Sequence, residues 1–328
     1  MRYFDAKKEG AMILHNAGID EAEVDAECLL EQAAQIERSS LFVKLFEEMP
    51  EAEYREYISF IERRKNHEPL QYIIGSQNFM GYTFKVSDKV LIPRFDTEIL
   101  AELAVKRCIE QAERMTASFG DDPGLSILDV CTGSGCVAVS VGLEVLKECK
   151  KRFGFEKLNN DIRERKFRIS VTGTDISDSA VKLARENYVL NYPEASENHN
   201  TEFTGRMSDI GFECKFFISD LFEKIEGKYH VITANPPYIV REEIETLMPE
   251  ITEHEPRIAL DGGEDGLDFY RVICMEAVKY LHEDGRLLME FDDSQAEPVK
   301  KMMLEAGFLE VEIHKDLAGL RRVIEGRV

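Results

Sequence analysis

This chain of 328 residues contains the run Ile127-Leu128-Asp129-Val130-Cys131-Thr132-Gly133-Ser134-Gly135-Cys136, from which its fold can be predicted. The first four residues of this run are typical of a short buried strand, and the glycines that follow predict a tight turn. The apolar run at 137–141 then begins a helix. A strand, a glycine turn and a helix form the first unit of a doubly wound α/β domain, in which the turn lies beneath a bound ligand.

Asp175 ends the next apolar strand, which we predict over residues 169–175. A carboxylate at this place can accept hydrogen bonds from both hydroxyls of a ribose, which favours a nucleoside cofactor. The sequence has neither the G-x-G-x-x-G of dinucleotide-binding proteins nor the Gly-Lys-Ser/Thr of a phosphate-binding loop. A turn that packs a helix on a strand without binding a ligand is the alternative interpretation.

The spacing from Gly135 to Asp175 is 40 positions, roughly twice the usual distance. The additional residues, at 147–168, include nine basic and four acidic side chains, whereas the whole chain has a net charge of −22. We expect either a solvated helix-and-loop extension or a surface that faces a partner.

Asn235-Pro236-Pro237-Tyr238 follows a further strand, predicted at 229–234. A strand at this point of the chain should bring its carboxyl end to the ligand crevice. Prolines have no N–H donor and fix the backbone, so carbonyl oxygens remain as acceptors. The Asn235 side-chain oxygen and a proline carbonyl can accept both hydrogens of a planar –NH₂ group, with the Tyr238 ring against it. A plain turn is the alternative.

Composition excludes several classes of protein. The net charge of −22 argues against broad phosphate contacts with nucleic acid, because the field of the protein repels a polyanion. No stretch approaches the roughly 20 apolar residues that span a bilayer, and residues 1–9 lack the apolar region of a signal peptide. The seven cysteines form no Cys-x-x-Cys pair, and the histidines have no His-x-x-x-His spacing. We expect free thiols, no metal site and a cytoplasmic protein.

Three domains are predicted. Residues 1–68 carry apolar residues at helical spacing and predict a small helical bundle. Residues 69–95 predict a β-hairpin linker, because 71–75 and 82–86 are rich in β-branched and aromatic residues and are bounded by glycine. Residues 96–328 then form the α/β domain.

The tetrapeptide 235–238 resembles the signature of amino methyltransferases that use S-adenosyl-L-methionine. Further motifs make the chain similar to HemK-type (PrmC) glutamine methyltransferases along nearly its whole length. These motifs are Pro69-x-Gln71-Tyr72-Ile73-x-Gly75, Phe79-x-Gly81, Ile92-Pro93-Arg94-x-x-Thr97-Glu98, Asp129-x-x-x-Gly133-Ser134-Gly135-Cys136, Asp175-Ile176-Ser177 and the run from Glu255-Pro256 to Arg271.

The resemblance implies a class I S-adenosylmethionine-dependent methyltransferase fold, Rossmann-like and doubly wound, with a helical domain that recognises the substrate. That family methylates the side-chain amide nitrogen (N5) of the glutamine in the Gly-Gly-Gln motif of peptide chain release factors, and S-adenosyl-L-homocysteine is the product. By resemblance, the cofactor-binding residues are Cys131, Thr132, Gly133, Ser134, Gly135, Asp175, Asp220, Leu221 and Asn235. The implied catalytic residues are Asn235, Pro236 and Tyr238, and Pro237 completes the substrate-binding set.

Three positions depart from the family pattern. Cys131 stands where the family usually has glycine, and we expect its small side chain to be tolerated at a negative φ. Phe95-Asp96 replaces the usual Pro-Glu, and Asp292 replaces the glycine of a Glu-x-Gly-x-x-Gln pattern.

Three alternatives remain open. A sister group methylates a glutamine of a ribosomal protein. An adenine-N6 methyltransferase of DNA or RNA uses the same Asn-Pro-Pro-Tyr logic on a flipped base, although the charge of −22 argues against it. A non-catalytic binding module would keep the fold as a scaffold, but the intact tetrapeptide argues against that.

Overall fold

The computed structural model describes residues 1–117, 124–153, 167–194 and 211–328. The chain divides into two compact units. The first comprises Met1–Ser76, Val86–Asp88 and Thr246–Glu255, and the second Gln77–Lys85, Lys89–Glu245 and Pro256–Val328.

The first unit is built mainly of helices. They are α1 (Tyr3–Asn16), α2 (Ala22–Ala34), α3 (Arg38–Lys44), α4 (Glu51–Lys65) and α5 (Leu70–Ile74). Leu14, Leu29 and Ile61 belong to three different helices and are fully buried in one shared core. The helices expected over residues 1–66 are therefore present, each with an apolar stripe turned inward.

The strand predicted at 71–75 is wrong, because these residues belong to α5 and its C-cap, Gly75, at φ +84°. Pro69 precedes the helix, and Ile73 is buried in the helical core. Burial of this side chain outweighs the β propensity of the segment. The hairpin follows directly, as β1 (Ser76–Phe79) and β2 (Tyr82–Lys85).

The second unit alternates strands with helices. In chain order its elements are α6 (Glu98–Ala117), β3 (Gly124–Val130), α7 (Cys136–Phe153), β4 (Arg168–Asp175), α8 (Asp178–Asn191), β5 (Gly211–Ile218), β6 (Tyr229–Ala234), α10 (Asp268–Tyr280), β7 (Leu281–Glu290), α11 (Ala296–Glu305), β8 (Leu309–Lys315) and β9 (Arg321–Arg327). One more helix, α9 (Pro249–Thr252), follows β6 in the chain but belongs to the first unit. In the described ranges, no helix is both long and apolar enough to cross a membrane.

Seven of the described strands form one sheet in the order β5-β4-β3-β6-β7-β9-β8. The first five are parallel, and β9 runs antiparallel to both of its neighbours. Ile127 of β3 joins a core with Leu100 of α6 and Val139 of α7, whereas Leu128 faces a second core with Tyr270 of α10. Helices thus cover both faces, and the predicted doubly wound, Rossmann-like fold with an N-terminal helical unit is confirmed.

The basic extension predicted at 147–168 is described in part. Residues 154–166 lie outside the described residues. Within α7, Lys147 lies 3.2 Å from Glu144 and Lys151 lies 3.5 Å from Glu148. These are exposed helical pairs of the kind that stabilise a solvated helix weakly.

Arg64 is a buried cation of the first unit, 8% exposed. Its Nε donates to Asp25 at 2.7 Å, and its two terminal nitrogens donate to Glu250 at 3.1 Å. Glu250 lies in α9, so this ion pair holds the segment Thr246–Glu255 among the helices of the first unit.

Candidate active site

The register of the parallel strands brings three predicted segments to one edge of the sheet. Val130 at the end of β3 pairs with Thr174 of β4 and with Ala234 of β6. The residues that follow, including Asp175 and Asn235, therefore leave neighbouring strands side by side. β3 lies where the strand order reverses, and this is the place where doubly wound sheets open a ligand crevice.

A pocket opens at this edge of the sheet. The predicted residues that line it are Cys131, Thr132, Gly133, Ser134, Asp175, Asp220, Leu221, Asn235 and Pro237. Gly135, Pro236 and Tyr238 are not lining residues, although each is adjacent in sequence to residues that are. The structure thus brings together segments that are about 100 positions apart in the chain.

Asp175 ties the glycine loop to the end of β4. Its Oδ2 accepts a hydrogen bond from the Gly133 backbone N–H and its Oδ1 one from Ser177, both at 2.9 Å. Burial raises the pKa of this carboxyl above its usual range. Gly135 has a φ of +80°, and a Cβ there would lie 2.9 Å from the Cβ of Ala184 in α8. Glycine is therefore needed for the loop to pack this closely.

Asp129 lies at the base of the pocket and is 2% exposed. It accepts hydrogen bonds from the hydroxyls of Thr132, at 2.6 Å, and Thr233, at 2.7 Å. Burial raises the pKa of this carboxyl to about 6, against the lowering effect of both hydroxyls. Asp129 thereby joins the glycine loop to β6.

The expectation of a negative φ at Cys131 is wrong, because its φ is +59°. This left-handed conformation costs an L-residue roughly 1–2 kcal/mol relative to the right-handed one. The loop thus keeps a backbone suited to glycine although the residue is cysteine. Burial also raises the pKa of the thiol well above its usual range, so the group stays protonated at neutral pH.

Hydrogen bonds to side chains from other parts of the chain hold the first and last residues of the tetrapeptide, Asn235 and Tyr238. The Asn235 Nδ2 donates to Thr97 Oγ1 at 3.1 Å, which leaves Oδ1 as the acceptor on the opposite side of the amide. The Tyr238 hydroxyl donates to Glu290 Oε1 at 3.2 Å, and its carbonyl accepts from Gln295 at 2.8 Å. The arrangement can present Oδ1 to an –NH₂ group in the pocket.

Several residues of the site were given no role by the sequence analysis, even where they belong to the motifs of the resemblance. Lys89–Arg94, predicted as linker, line the pocket, as do Thr97, Asp129, Ile258, Ala259 and Phe269. Glu290 could have been found from the strand-end rule: Met289 pairs with Ala234, so Glu290 leaves β7 beside Asn235. No local pattern marks Thr97 as a partner of Asn235.

The other two departures from the family pattern have structural explanations. Phe95 is exposed, and Asp96 lies 3.5 Å from Arg322. Asp292 has a φ of −76°, which any L-residue adopts, and its side chain accepts from the Ser294 N–H at 3.0 Å. Asp292 thus begins a capping box where the family pattern has glycine.

Comparisons with known proteins find chains similar along most of this sequence. A family model described as the PrmC N-terminal domain matches residues 5–75. The release factor glutamine methyltransferase of Geobacter sulfurreducens is 33% identical, covering 96% of this chain and 93% of that protein. The release factor glutamine methyltransferase of Thermodesulfovibrio yellowstonii is 37% identical, covering 86% and 85%. A crystal structure of a release factor-specific protein-(glutamine-N5) methyltransferase from Alicyclobacillus acidocaldarius is 25% identical over 72% of this chain and 93% of that one, with a TM-score of 0.35.

Proposed function

The chain belongs to the family of release factor glutamine methyltransferases, and on that premise we propose that it methylates a release factor. It transfers a methyl group from S-adenosyl-L-methionine to the side-chain amide nitrogen (N5) of the glutamine in the Gly-Gly-Gln motif. S-adenosyl-L-homocysteine is the second product. The observation that carries the proposal is the Asn235 amide beside the glycine loop, held through Nδ2 so that Oδ1 is an acceptor.

The residues of the pocket fit this cofactor. The Asp175 carboxylate suits a ribose and holds the Gly133 backbone N–H, and Gly135 lets the loop that ends the pocket pack closely on α8. We expect Cys131–Gly135 to lie beneath the methionine part and Asp220 and Leu221 to flank the adenine. When bound, the cofactor supplies a methyl group on a positively charged sulfur, and the carboxylates that line the pocket favour such a cation.

In this proposal the tetrapeptide 235–238 positions the side-chain amide of the substrate glutamine, whose nitrogen receives the methyl group. An amide nitrogen is a poor nucleophile because its lone pair is delocalised. Hydrogen bonds from its two N–H groups to Asn235 Oδ1 and the Pro236 carbonyl raise the electron density on nitrogen and fix its direction. With the cofactor bound, the nitrogen held in this way would take the methyl group from sulfur and would then release its extra proton to solvent. Tyr238 packs beside the substrate in this proposal.

Asn235→Ala tests this mechanism. We expect turnover to fall by at least about 100-fold, the scale of a lost transition-state hydrogen-bond partner, while cofactor affinity stays within a few-fold. Labelled-methyl transfer and calorimetric titration measure the two quantities. Asn78→Ala, at an exposed position of β1, is the matched control and should behave as the unmodified chain. Turnover within a few-fold of the control would overturn the role of Asn235.

The substrate is tested by offering an unmethylated release factor, its Gln→Ala variant, ribosomes and unmethylated DNA in parallel. We expect label on the intact release factor alone. Label on ribosomes or DNA would replace the proposed substrate with a ribosomal protein or adenine. The net charge of −22 supports our expectation that the protein does not recognise a nucleic-acid sequence, and we infer that it acts in the cytoplasm, where release factors work.

We propose that residues 1–68 recognise the release factor, that 69–95 link the domains and that 96–328 carry out the transfer. Exposed apolar side chains on the helical unit, Phe42 at 57% and Phe46 at 70%, support this assignment. Replacing both with serine should raise KM for the release factor at least about tenfold, the cost of a small binding anchor, and leave cofactor affinity unchanged. Leu317→Ser, at an exposed residue of the second unit, is the control. An unchanged KM would refute the assignment.

A further inference from the structure

Asn187 of α8 is a buried polar residue that the proposed mechanism does not use. Its side chain is fully buried and makes three hydrogen bonds to backbone groups. The amide Nδ2 donates to the Ser134 carbonyl at 2.9 Å and to the Lys85 carbonyl at 3.1 Å, and Oδ1 accepts from the Lys85 N–H at 2.7 Å. A carbonyl can only accept and an N–H can only donate, so these partners fix which end of the amide faces each of them.

The bond to Ser134 fixes one peptide plane of the glycine loop. In a trans peptide the carbonyl and the N–H that follows it point in opposite directions. Because Asn187 holds the Ser134 carbonyl, the Gly135 N–H points the other way, and it donates to the Thr132 carbonyl at 2.8 Å. This second bond closes a turn whose first three residues line the pocket. Asn187 thus acts on the shape of the pocket through the peptide plane between residues 134 and 135.

The bonds to Lys85 hold the chain that leads into another part of the pocket wall. Lys85 is the last residue of β2, and the pocket-lining residues Lys89–Arg94 begin four positions later. Within that segment Val90 packs on the glycine loop, since a Cβ added at Gly133 would lie 3.6 Å from the Val90 Cγ1. One buried amide therefore joins the glycine loop to the strand that precedes the segment packed on it.

We propose that Asn187 is a positioning residue of the cofactor site, which holds the glycine loop and the end of β2 in the arrangement that binds S-adenosyl-L-methionine. The inference rests on the proposed function for its cofactor and does not depend on which group accepts the methyl. Asn187 is fully buried, so bulk water does not compete for its bonds. An unpartnered buried carbonyl is costly, so loss of the amide should rotate the Ser134 peptide toward another donor and distort the loop.

Asn187→Asp removes the donor and keeps the shape of the side chain. A carboxylate still accepts from the Lys85 N–H but donates to no carbonyl. We expect the Kd of S-adenosyl-L-homocysteine, measured by calorimetry, to rise at least about tenfold. Asn191→Asp is the matched control one helical turn later, because Asn191 Nδ2 donates to the Thr83 carbonyl of the hairpin at 2.9 Å and Thr83 is not a pocket-lining residue. Its Kd should stay within about two-fold of the unmodified chain.

Asn187→Ala is the second variant, in case a buried carboxylate prevents folding. It introduces no charge and removes all three hydrogen bonds, and Asn191→Ala is its control. We expect the same rise in Kd, at least about tenfold. A residue that only stabilised the fold would lower the urea midpoint of the cofactor-free protein and leave the Kd of the folded molecules unchanged. That result, or failure of both Asn187 variants to fold, would overturn the positioning role.

Kinetics and binding together keep this inference separate from the proposed function. In Asn187→Asp we expect KM for the cofactor to rise about tenfold while KM for the release factor stays unchanged, because the change is confined to the cofactor loop. Equal rises in the two KM values would contradict the inference. Binding of S-adenosyl-L-homocysteine needs no methyl acceptor. A tenfold rise in its Kd, in a protein whose unmodified chain labels no release factor, would therefore refute the proposed function and keep the positioning role.

Discussion

Asp129→Asn should change how the stability of this protein depends on pH. The pKa of the buried Asp129 carboxyl is raised to about 6 by burial, against an ordinary value of about 3.9 in an unfolded chain. The folded state therefore binds this proton more tightly than the unfolded state. Stability contributed by the proton is present at low pH and is lost as the pH rises through about 6.

The magnitude follows from these two pKa values. At pH 5 the folded carboxyl is mostly protonated and the unfolded one is mostly ionised, whereas at pH 7 both are ionised. Linkage then gives a loss of about 1.4 kcal/mol between pH 5 and pH 7, or roughly tenfold in the unfolding equilibrium. An asparagine at position 129 stays neutral at both values, so Asp129→Asn removes this loss. Asp175, which also has a raised pKa, titrates in both chains.

Urea unfolding at pH 5 and pH 7 measures the effect. The chain has no tryptophan, so circular dichroism is the suitable signal. Asp293→Asn is the matched control: Arg321 lowers the pKa of Asp293 to about 2, so it remains ionised over this whole range. We expect the control to lose as much stability as the unmodified chain and Asp129→Asn to lose about 1.4 kcal/mol less. Equal losses in all three chains would refute the buried, proton-binding state of Asp129.

Three further substitutions test other parts of the structure. Gly266→Ala places a Cβ 2.5 Å from the carbonyl oxygen of Tyr238 and should lower kcat at least about tenfold, because the tetrapeptide must move. Gly227→Ala is the control, at a similar positive φ but in open space, and should keep kcat. Equal losses of kcat in the two variants would contradict this reasoning. Arg64→Met removes the cation between Asp25 and Glu250 and leaves the buried Asp25 carboxylate without its partner, so it should cost about 3–5 kcal/mol of unfolding free energy. The exposed Arg55→Met should cost less than about 1 kcal/mol, and similar urea midpoints for the two variants would argue against a buried ion pair. Asp175→Ala should weaken cofactor binding about tenfold or more by calorimetry, and an unchanged Kd would remove Asp175 from the site.

The local pattern of apolar residues and glycines was sufficient to predict much of the fold. The run at 127–136 predicted a strand, a turn and a helix, and these are β3, the glycine loop and α7. The strand at 169–175 and the strand before Asn235 are also present, and both end at the edge of the pocket. These predictions succeeded because the period of apolar residues and the place of glycine are properties of consecutive residues. The prediction that Asp175 and Asn235 share one crevice followed from the rule that parallel strands bring their carboxyl ends to the same edge of the sheet.

Consecutive residues alone were thus enough to predict the α/β class, the helical start of the chain, and Asp175 and Asn235 as residues of one pocket. Tertiary structure decided the features that depend on distant neighbours. Leu70–Ile74 is helical because Ile73 is buried in the helical core. Thr97 contacts Asn235 across 138 positions of the chain, and the register of β6 and β7 places Glu290 beside Asn235. Such contacts arise when separate elements pack, and no pattern of consecutive residues encodes that packing.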